Sequence, residues 1–212
     1  MMFKNKVKAI ILDLDNTVYP VSSIGNKLFD PLFKLIEDNG NYKGNLEEIK
    51  TEIQRKPFHF VAEKYGFEKP LIDESISLLK ELTYNDRMET YPDYSVIQKL
   101  KADKYLVTSG FTKLQRSKVN QLGIQHDFKE IHIIDNLVSD DTKKTIFFDI
   151  IERNGYDLNE VLVIGDDLES EIQAAIELGV HYLLYDRNGY YNMLDNSIPK
   201  ISDFEDVPNL LQ

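Results

Sequence analysis

The chain has 212 residues, a formal net charge of −11 at pH 7, 42% hydrophobic residues and no cysteine. This length suits one large domain, or a core domain with a small accessory one. The lack of cysteine excludes disulfides, Cys-ligated zinc and thiol nucleophiles, and the acidity argues against nucleic acid or an anionic membrane as a partner. No uninterrupted apolar run approaches the roughly 20 residues of a membrane helix, so we expect a cytoplasmic protein with no membrane partner.

The first predicted element is an apolar strand from Val7 that ends in Asp13 and Asp15, followed by Asn16 and Thr17. A short apolar run of this kind is typical of a buried parallel strand, and ligands collect at the carboxyl ends of such strands. Alternation of side chains predicts that both acids lie on one side, where one cation could contact both residues. The alternative is that they cap a following turn or helix.

The next region, residues 21–89, lacks a convincing strand and shows helical patterns instead. The first pattern contains Pro31, which is expected to kink or split a helix. We therefore predict a helical cap domain at residues 21–89, inserted into a core domain formed by residues 1–20 and 90–212. The predicted cap helices cover residues 24–38, 46–55, 57–65 and 71–82.

After this insertion, strand and helix patterns alternate, which indicates right-handed crossovers and a parallel sheet. The overall prediction is an α/β protein with a Rossmann-like parallel sheet of about five strands and an inserted helical cap. Later strands are predicted at Tyr105–Thr108, Ile131–Ile134, Val161–Ile164 and His181–Tyr185, and helices, each followed by glycine, at Lys113–Leu122, Thr145–Asn154 and Glu169–Leu178.

Polar residues follow two of the later strands. Thr108 and Ser109 offer a hydroxyl and backbone N–H groups that could hold phosphate oxygens. Asp166 and Asp167 cluster at another strand end, where carboxylates together with a substrate phosphate commonly hold magnesium. Thr108 could also be an ordinary strand residue, and the two aspartates could cap the following helix.

Between these motifs, Lys143 and Lys144 open a helix and offer a point positive charge for a phosphate. Either lysine could equally be a solvated residue at a helix start. Placing Phe147 on the buried face of this helix favours Lys143 as the one that points to the site.

In this order the motifs resemble those of the haloacid dehalogenase-like (HAD) hydrolase superfamily, in its helical-cap subgroup. The motifs are DLDNT at 13–17, TSG at 108–110, Lys143 or Lys144, and GDDLESE at 165–171. Many members have proline after the motif lysine, which this chain lacks. The second acid, Asp15, is absent from the dehalogenases of the superfamily, so phosphate chemistry is the expected activity. The form DLDNTVYP resembles the pyrimidine 5′-nucleotidase-like members.

The resemblance implies a role for each matching residue. Asp13 is the expected nucleophile that forms an aspartyl-phosphate, and Asp15 the general acid and base. Phosphate would be bound by Thr108, the Ser109 backbone N–H and Lys143. Mg²⁺ would be held by the carboxylates of Asp13 and Asp166 and the backbone carbonyl of Asp15, with Asp167 helping through water and Glu171 orienting the lysine or a metal-bound water.

The implied function is a Mg²⁺-dependent phosphatase, a monomer or homodimer, that acts on a small phosphorylated metabolite. A nucleoside monophosphate is the first candidate substrate. Two alternatives remain open from the residues. One is a phosphomutase that returns the phosphoryl group to a sugar, and the other is a non-catalytic binding protein on the same fold.

Overall fold

The computed structural model describes residues 6–191 and 198–211 of the chain. Within them, parallel strands form one six-stranded sheet in the order β3-β2-β1-β4-β5-β6. The predicted α/β class is confirmed, but the predicted number of about five strands is too low. The extra strand, β6, has only two residues and therefore offers no apolar run to detect. The strands are β1 (Ala9–Leu12), β2 (Asp103–Ser109), β3 (Glu130–Ile134), β4 (Val161–Gly165), β5 (His181–Tyr185) and β6 (Lys200–Ile201).

The first strand, β1, lies in the middle of the sheet and is fully buried. Ile11 of β1 is in register with Tyr105 of β2 on one side and with Val163 of β4 on the other. The chain thus builds outward from β1 through β2 and β3, then crosses back to add β4, β5 and β6 on the opposite side. Ligands of open α/β sheets bind at such a switch point, which here is the carboxyl end of β1.

The region between β1 and β2 is helical, as predicted. Phe29 interrupts the first predicted helix, and Pro31 lies in the first turn of the second half, where its missing N–H is tolerated. A short further helix precedes β2 and was not predicted from the sequence. The helices are α1 (Gly25–Leu28), α2 (Asp30–Asn39), α3 (Leu46–Ile53), α4 (Phe58–Lys64), α5 (Lys69–Glu81) and α6 (Tyr94–Lys99).

The remaining helices are α7 (Thr112–Leu122), α8 (Lys143–Asn154), α9 (Gln173–Leu178) and α10 (Val207–Leu210). Helix α8 begins at Lys143, two residues before the predicted start, because Thr142 and Thr145 form a reciprocal cap. The helix predicted from Glu169 instead begins with a π-helical turn, Leu168–Ile172, which runs directly into α9.

The sheet separates two hydrophobic clusters, because alternate residues of β1 point to opposite faces. Ile10 and Leu12 pack in the larger cluster, which contains apolar side chains of α7 and of the inserted helices. Ala9 and Ile11 pack in the smaller cluster, with Phe147 of α8 and side chains of α9. Helices α7 and α8 therefore cover opposite faces of the sheet, and α5 of the insertion packs against α7.

None of the helices within residues 6–191 and 198–211 has the length and apolar character needed to span a membrane.

Candidate active site

Asp13 directly follows β1 and is buried, with 6% of its surface exposed. Its backbone N–H donates to the carbonyl of Ile164 at 3.1 Å, so the pairing between β1 and β4 continues to this residue and fixes where its side chain starts. The carboxylate contacts Lys143, whose Nζ lies 2.6 Å from Asp13 Oδ1 and 2.6 Å from Glu171 Oε2. Asp13 is thus held from both the backbone and the side chain.

The two adjacent lysines have different surroundings. Lys143, at the first turn of α8, is buried between Asp13 and Glu171. The Nζ of Lys144 lies 2.8 Å from Glu177 Oε2 in a pair that is about half exposed. Of these two side chains, the structure therefore brings only that of Lys143 to the end of β1.

An acidic cluster surrounds this lysine. Asp13, Asp166 and Glu171 each offer a carboxylate oxygen, and these oxygens lie within 4.8 Å of one another. Burial raises the pKa of Asp13 to about 7 against the opposing charge of Lys143. Burial, together with Glu171 and Asp13, also raises the pKa of Asp166 well above its usual range. Since one lysine faces three carboxylates, the cluster lacks positive charge, and its oxygen ligands suit a hard divalent cation.

Glu171 reaches this cluster because the chain turns back over the end of β4. A Cβ at Gly165 would lie 2.2 Å from Glu171 Cγ, so only glycine leaves room for this side chain. The backbone N–H of Asp167 donates to Glu171 Oε1 at 2.8 Å, while the Asp167 carboxylate accepts from the N–H of Glu169 and caps the π-helical turn. Asp167 therefore both caps the turn and supports Glu171.

Asp15 lies outside the acidic cluster, in a separate cage of donors. Lys118 Nζ lies 2.8 Å from Asp15 Oδ1 and 3.0 Å from Oδ2. Gln115 Nε2 donates to Oδ2 at 2.9 Å, and the Tyr19 hydroxyl donates to Oδ1. Burial raises the pKa of Asp15, but Lys118 and then the hydrogen bonds outweigh this effect and hold the pKa below its usual range.

The two acids face different helices, contrary to the expectation that both carboxylates lie on one side of the strand. Asp13 contacts α8, whereas Asp15 contacts α7 on the opposite face of the sheet. The regular alternation stops because β1 ends at Leu12 and the chain then turns, with Asn16 in a left-handed conformation at φ 57°. Asparagine tolerates this conformation better than most residues.

Thr108 and Ser109 end β2 beside this cage. Thr108 is buried, and its Oγ1 accepts from Gln115 Nε2 at 3.0 Å. Ser109 is exposed, and its carbonyl accepts from the same amide at 2.9 Å. Gly110 follows at φ 144°, which a residue with a side chain rarely adopts. The amide of Gln115 thus connects the end of β2 with Asp15.

Sequence reasoning missed Lys118, Gln115 and Tyr19. A signal for Lys118 was present, since Leu114, Lys118 and Leu122 follow one another at intervals of four residues in α7. This spacing puts the lysine within the apolar stripe of the helix. Its side chain is only 4% exposed, and a cation so placed needs an acid beside it.

The rim of the site combines residues of the core and of the insertion. A small recess beside Asp166 is lined by Asn16, Arg187 and Tyr190, among others. The guanidinium carbon of Arg55, from the segment between α3 and α4, lies 4.0 Å from the centroid of the Tyr190 ring. The inserted region therefore reaches the edge of the recess beside Asp166.

Comparison with known proteins agrees with this arrangement. The sequence profile of the haloacid dehalogenase-like hydrolases matches residues 7–179, from β1 to the end of α9. The chain belongs to this family. Within it, the chain is 26% identical over 220 residues to glyceraldehyde 3-phosphate phosphatase of Methanopyrus kandleri, covering 94% of this chain and 92% of the relative. It is 20% identical over 235 residues to human (Homo sapiens) N-acylneuraminate-9-phosphatase, covering 98% and 95%.

Solved structures of HAD-like proteins share the fold. The haloacid dehalogenase-like family protein SP0104 from Streptococcus pneumoniae matches with a TM-score of 0.73 at 17% identity, over 97% of this chain and 99% of that one. The HAD-hydrolase-like protein YfnB from Bacillus subtilis, in a structure with bound magnesium, matches with a TM-score of 0.65 at 20% identity, over 98% and 100%. The predicted HAD-like fold and enzyme class, a phosphoric monoester hydrolase, are confirmed.

Proposed function

We propose that this HAD-like phosphatase hydrolyses a small phosphorylated sugar or sugar acid through an aspartyl-phosphate on Asp13, with Mg²⁺ as cofactor. The observation that carries the proposal is the meeting of Asp13, Lys143, Asp166 and Glu171 at the carboxyl end of β1. A carboxylate nucleophile, a buried cation for phosphate and a set of oxygen ligands for a metal occur there together.

In the first step an Asp13 carboxylate oxygen attacks phosphorus. The new oxygen–phosphorus bond forms as the bond to the leaving oxygen breaks, and Asp15 gives a proton to that oxygen. Because Lys118 and the hydrogen bonds keep Asp15 ionised in the resting chain, it must take up a proton from solvent or from a bound monoanionic phosphate before this step. Lys143, the Thr108 hydroxyl and the Ser109 backbone N–H stabilise the negative charge on the transferring group.

In the second step Asp15 takes a proton from water, which attacks phosphorus and releases Asp13. The resting state of Asp15 suits this step, since Lys118 and its hydrogen bonds lower its pKa and keep it ionised. Carboxylates of Asp13 and Asp166, with the Asp15 backbone carbonyl, would hold Mg²⁺. When bound, this cation supplies positive charge that the three acids of the cluster otherwise lack.

Support for sugar phosphates comes from the relatives, because both named phosphatases act on phosphorylated compounds of this class. A nucleoside monophosphate remains a second candidate, favoured by the DLDNTVYP form of the first motif. We assign specificity to the cap at residues 21–89. Its Arg55 contacts Tyr190 at the rim of the recess, where a bound sugar or base would lie.

The test is phosphate release from p-nitrophenyl phosphate, sugar phosphates, sugar-acid phosphates and nucleoside monophosphates, with Mg²⁺ and with EDTA. Asp13→Asn should abolish Mg²⁺-dependent release, whereas Asp73→Asn, at an exposed site of α5, should leave it unchanged. Rearranged sugar phosphate without free phosphate would indicate a mutase. A folded protein with no turnover on any compound would favour the non-catalytic alternative.

A further inference from the structure

Lys118 is the least expected residue near the site. It lies in the middle of α7, with 4% of its side chain exposed, and its Nζ contacts both oxygens of Asp15, a residue 103 positions earlier in the chain. The ammonium group also lies 5.8 Å from the centroid of the Tyr19 ring. None of the sequence motifs assigned to the reaction contains this lysine.

Lys118 belongs to a set of donors that fixes one orientation of the Asp15 carboxylate. Lys118 and Tyr19 bind Oδ1, while Lys118 and Gln115 bind Oδ2. Each donor comes from a buried part of the chain. Rotation of the carboxylate would break several of these bonds at once, so the side chain is held in place before a substrate arrives.

The same donors tie Asp15 to the predicted phosphate site. Gln115 Nε2 lies within 3.0 Å of Thr108 Oγ1 and 2.9 Å of the Ser109 carbonyl as well as 2.9 Å of Asp15. An amide group has two N–H donors, so these three acceptors share them. The position of Asp15 relative to the end of β2 is therefore set by side chains of α7.

We propose that Lys118 is a positioning residue, which aims the Asp15 carboxylate at the leaving oxygen of the substrate. This inference rests on the proposed function, because it presumes that Asp15 transfers a proton in phosphate ester cleavage. In this role Lys118 acts through Asp15, whose two carboxylate oxygens it contacts. Its removal should therefore impair the proton transfer and leave other parts of the reaction nearly intact.

The leaving group gives a direct readout. An alkoxide leaves poorly unless it is protonated, whereas p-nitrophenolate leaves without a proton. We expect Lys118→Met to lower kcat/KM for an alkyl phosphate substrate by about 10- to 100-fold, the size of effect that a misplaced group produces. With p-nitrophenyl phosphate the loss should stay below about threefold. A purely structural defect would lower both values by the same factor.

Lys113→Met is the matched control, since Lys113 lies in the same helix but is 55% exposed and pairs with Glu81 at the surface. It should change neither value. Lys118→Arg keeps a cation that can contact both carboxylate oxygens, and it should recover part of the loss with the alkyl substrate. If Lys118→Met fails to fold, as judged by circular dichroism, Tyr19→Phe serves instead, because it removes a donor to Asp15 without stranding a charge.

A second comparison uses the Asp15→Asn background with phenyl phosphate, whose leaving group has intermediate quality. If Lys118 acts through Asp15, adding Lys118→Met there should cost far less than the same change costs the wild type. Equal losses for all leaving groups, or equal losses in both backgrounds, would overturn the inference. Absence of phosphatase activity in the wild type would instead refute the proposed function, so the two failures are distinguishable.

Discussion

Removal of Lys143 should damage both stability and activity, while removal of its neighbour Lys144 should damage neither. Lys143 Nζ lies 2.6 Å from carboxylate oxygens of both Asp13 and Glu171, which are 7% and 1% exposed as side chains. Lys143→Met would leave these acids facing each other and Asp166 without a cation. Removing one partner of a buried ion pair typically costs about 3–5 kcal/mol of unfolding free energy.

This loss of unfolding free energy translates into a measurable shift of the midpoint of urea unfolding. With a slope of about 2.5 kcal/mol per molar urea, near the upper end for small domains, the midpoint should fall by about 1–2 M. Activity should fall by about 100- to 1000-fold, as when one stabilising group is lost from a transition state. Lys144→Met removes only a half-exposed pair with Glu177, for which we expect no measurable change in either quantity.

The direction of the pH effect follows from the acids left behind. Burial already raises the pKa of Asp13 to about 7 with Lys143 present, and loss of the lysine raises it further. A carboxyl group with a raised pKa in the folded state lowers stability as the pH rises through that pKa. Lys143→Met should therefore be less destabilised at pH 5.5 than at pH 8. Near-equal midpoints and activities for the Lys143→Met and Lys144→Met variants would refute this reasoning.

Three further perturbations test other parts of the site. Gly165→Ala would place a methyl group 2.2 Å from Glu171 Cγ. It should lower the unfolding free energy by about 1–3 kcal/mol, measured by urea unfolding, and also lower the initial rate of phosphate release. Wild-type values for both would contradict the close packing of Glu171 against Gly165. Asp93→Ala removes the acceptor that lies 2.8 Å from Arg187 and also binds Tyr185 and Phe204, so thermal unfolding should reveal a loss of about 3 kcal/mol, and an unchanged midpoint would contradict this. Because the pKa of Asp13 is raised to about 7, cation binding must release protons, and calorimetry should find tighter Mg²⁺ binding at pH 8 than at pH 6; pH-independent affinity would argue against this.

The parts of the fold that the sequence predicted are those set by local pattern. The continuous apolar run of β1 required burial on both faces, and the structure buries it completely. Pro31 predicted a break that the chain makes at Phe29. The short β6 and the π-helical turn at Leu168–Ile172 escaped prediction, because neither has enough residues to establish a period.

The residues of the candidate site likewise divide into those that local sequence pattern predicts and those that it does not. Asp13, Asp166 and Lys143 stand at strand ends or a helix start, so their meeting follows from parallel topology. Asp15 differs, since its contacts depend on a turn after β1 and on Lys118, which follows it by 103 positions. The spacing of residues along a strand predicts which face of the sheet a side chain points to only within the strand itself. Contacts made beyond its end depend on tertiary packing.

In a chain with a net charge of −11, the acids that buried lysines contact show where positive charge is concentrated. Each acid of the DLD motif contacts its own lysine: Lys143 contacts Asp13, and Lys118 contacts Asp15. The two lysines come from helices on opposite faces of the sheet. The pKa values of the two acids are shifted in opposite directions. Burial among other acids raises the pKa of Asp13, whereas Lys118 and the hydrogen bonds lower that of Asp15. Two carboxyl groups two residues apart thereby acquire different chemistry, as division of labour between a nucleophile and an acid–base group requires.

The balance of charge around these pairs also favours a site for one divalent cation. Asp13, Asp15, Asp166 and Glu171 bring four negative charges when ionised, and the two lysines neutralise two of them. The two negative charges that remain would be balanced by one divalent cation. Burial and repulsion from Glu171 and Asp13 raise the pKa of Asp166 well above its usual range, so a cation bound there would compete with protons. The two lysines therefore offset part of the negative charge around the DLD motif, and a bound divalent cation would complete the neutralisation that an anionic substrate needs in order to approach.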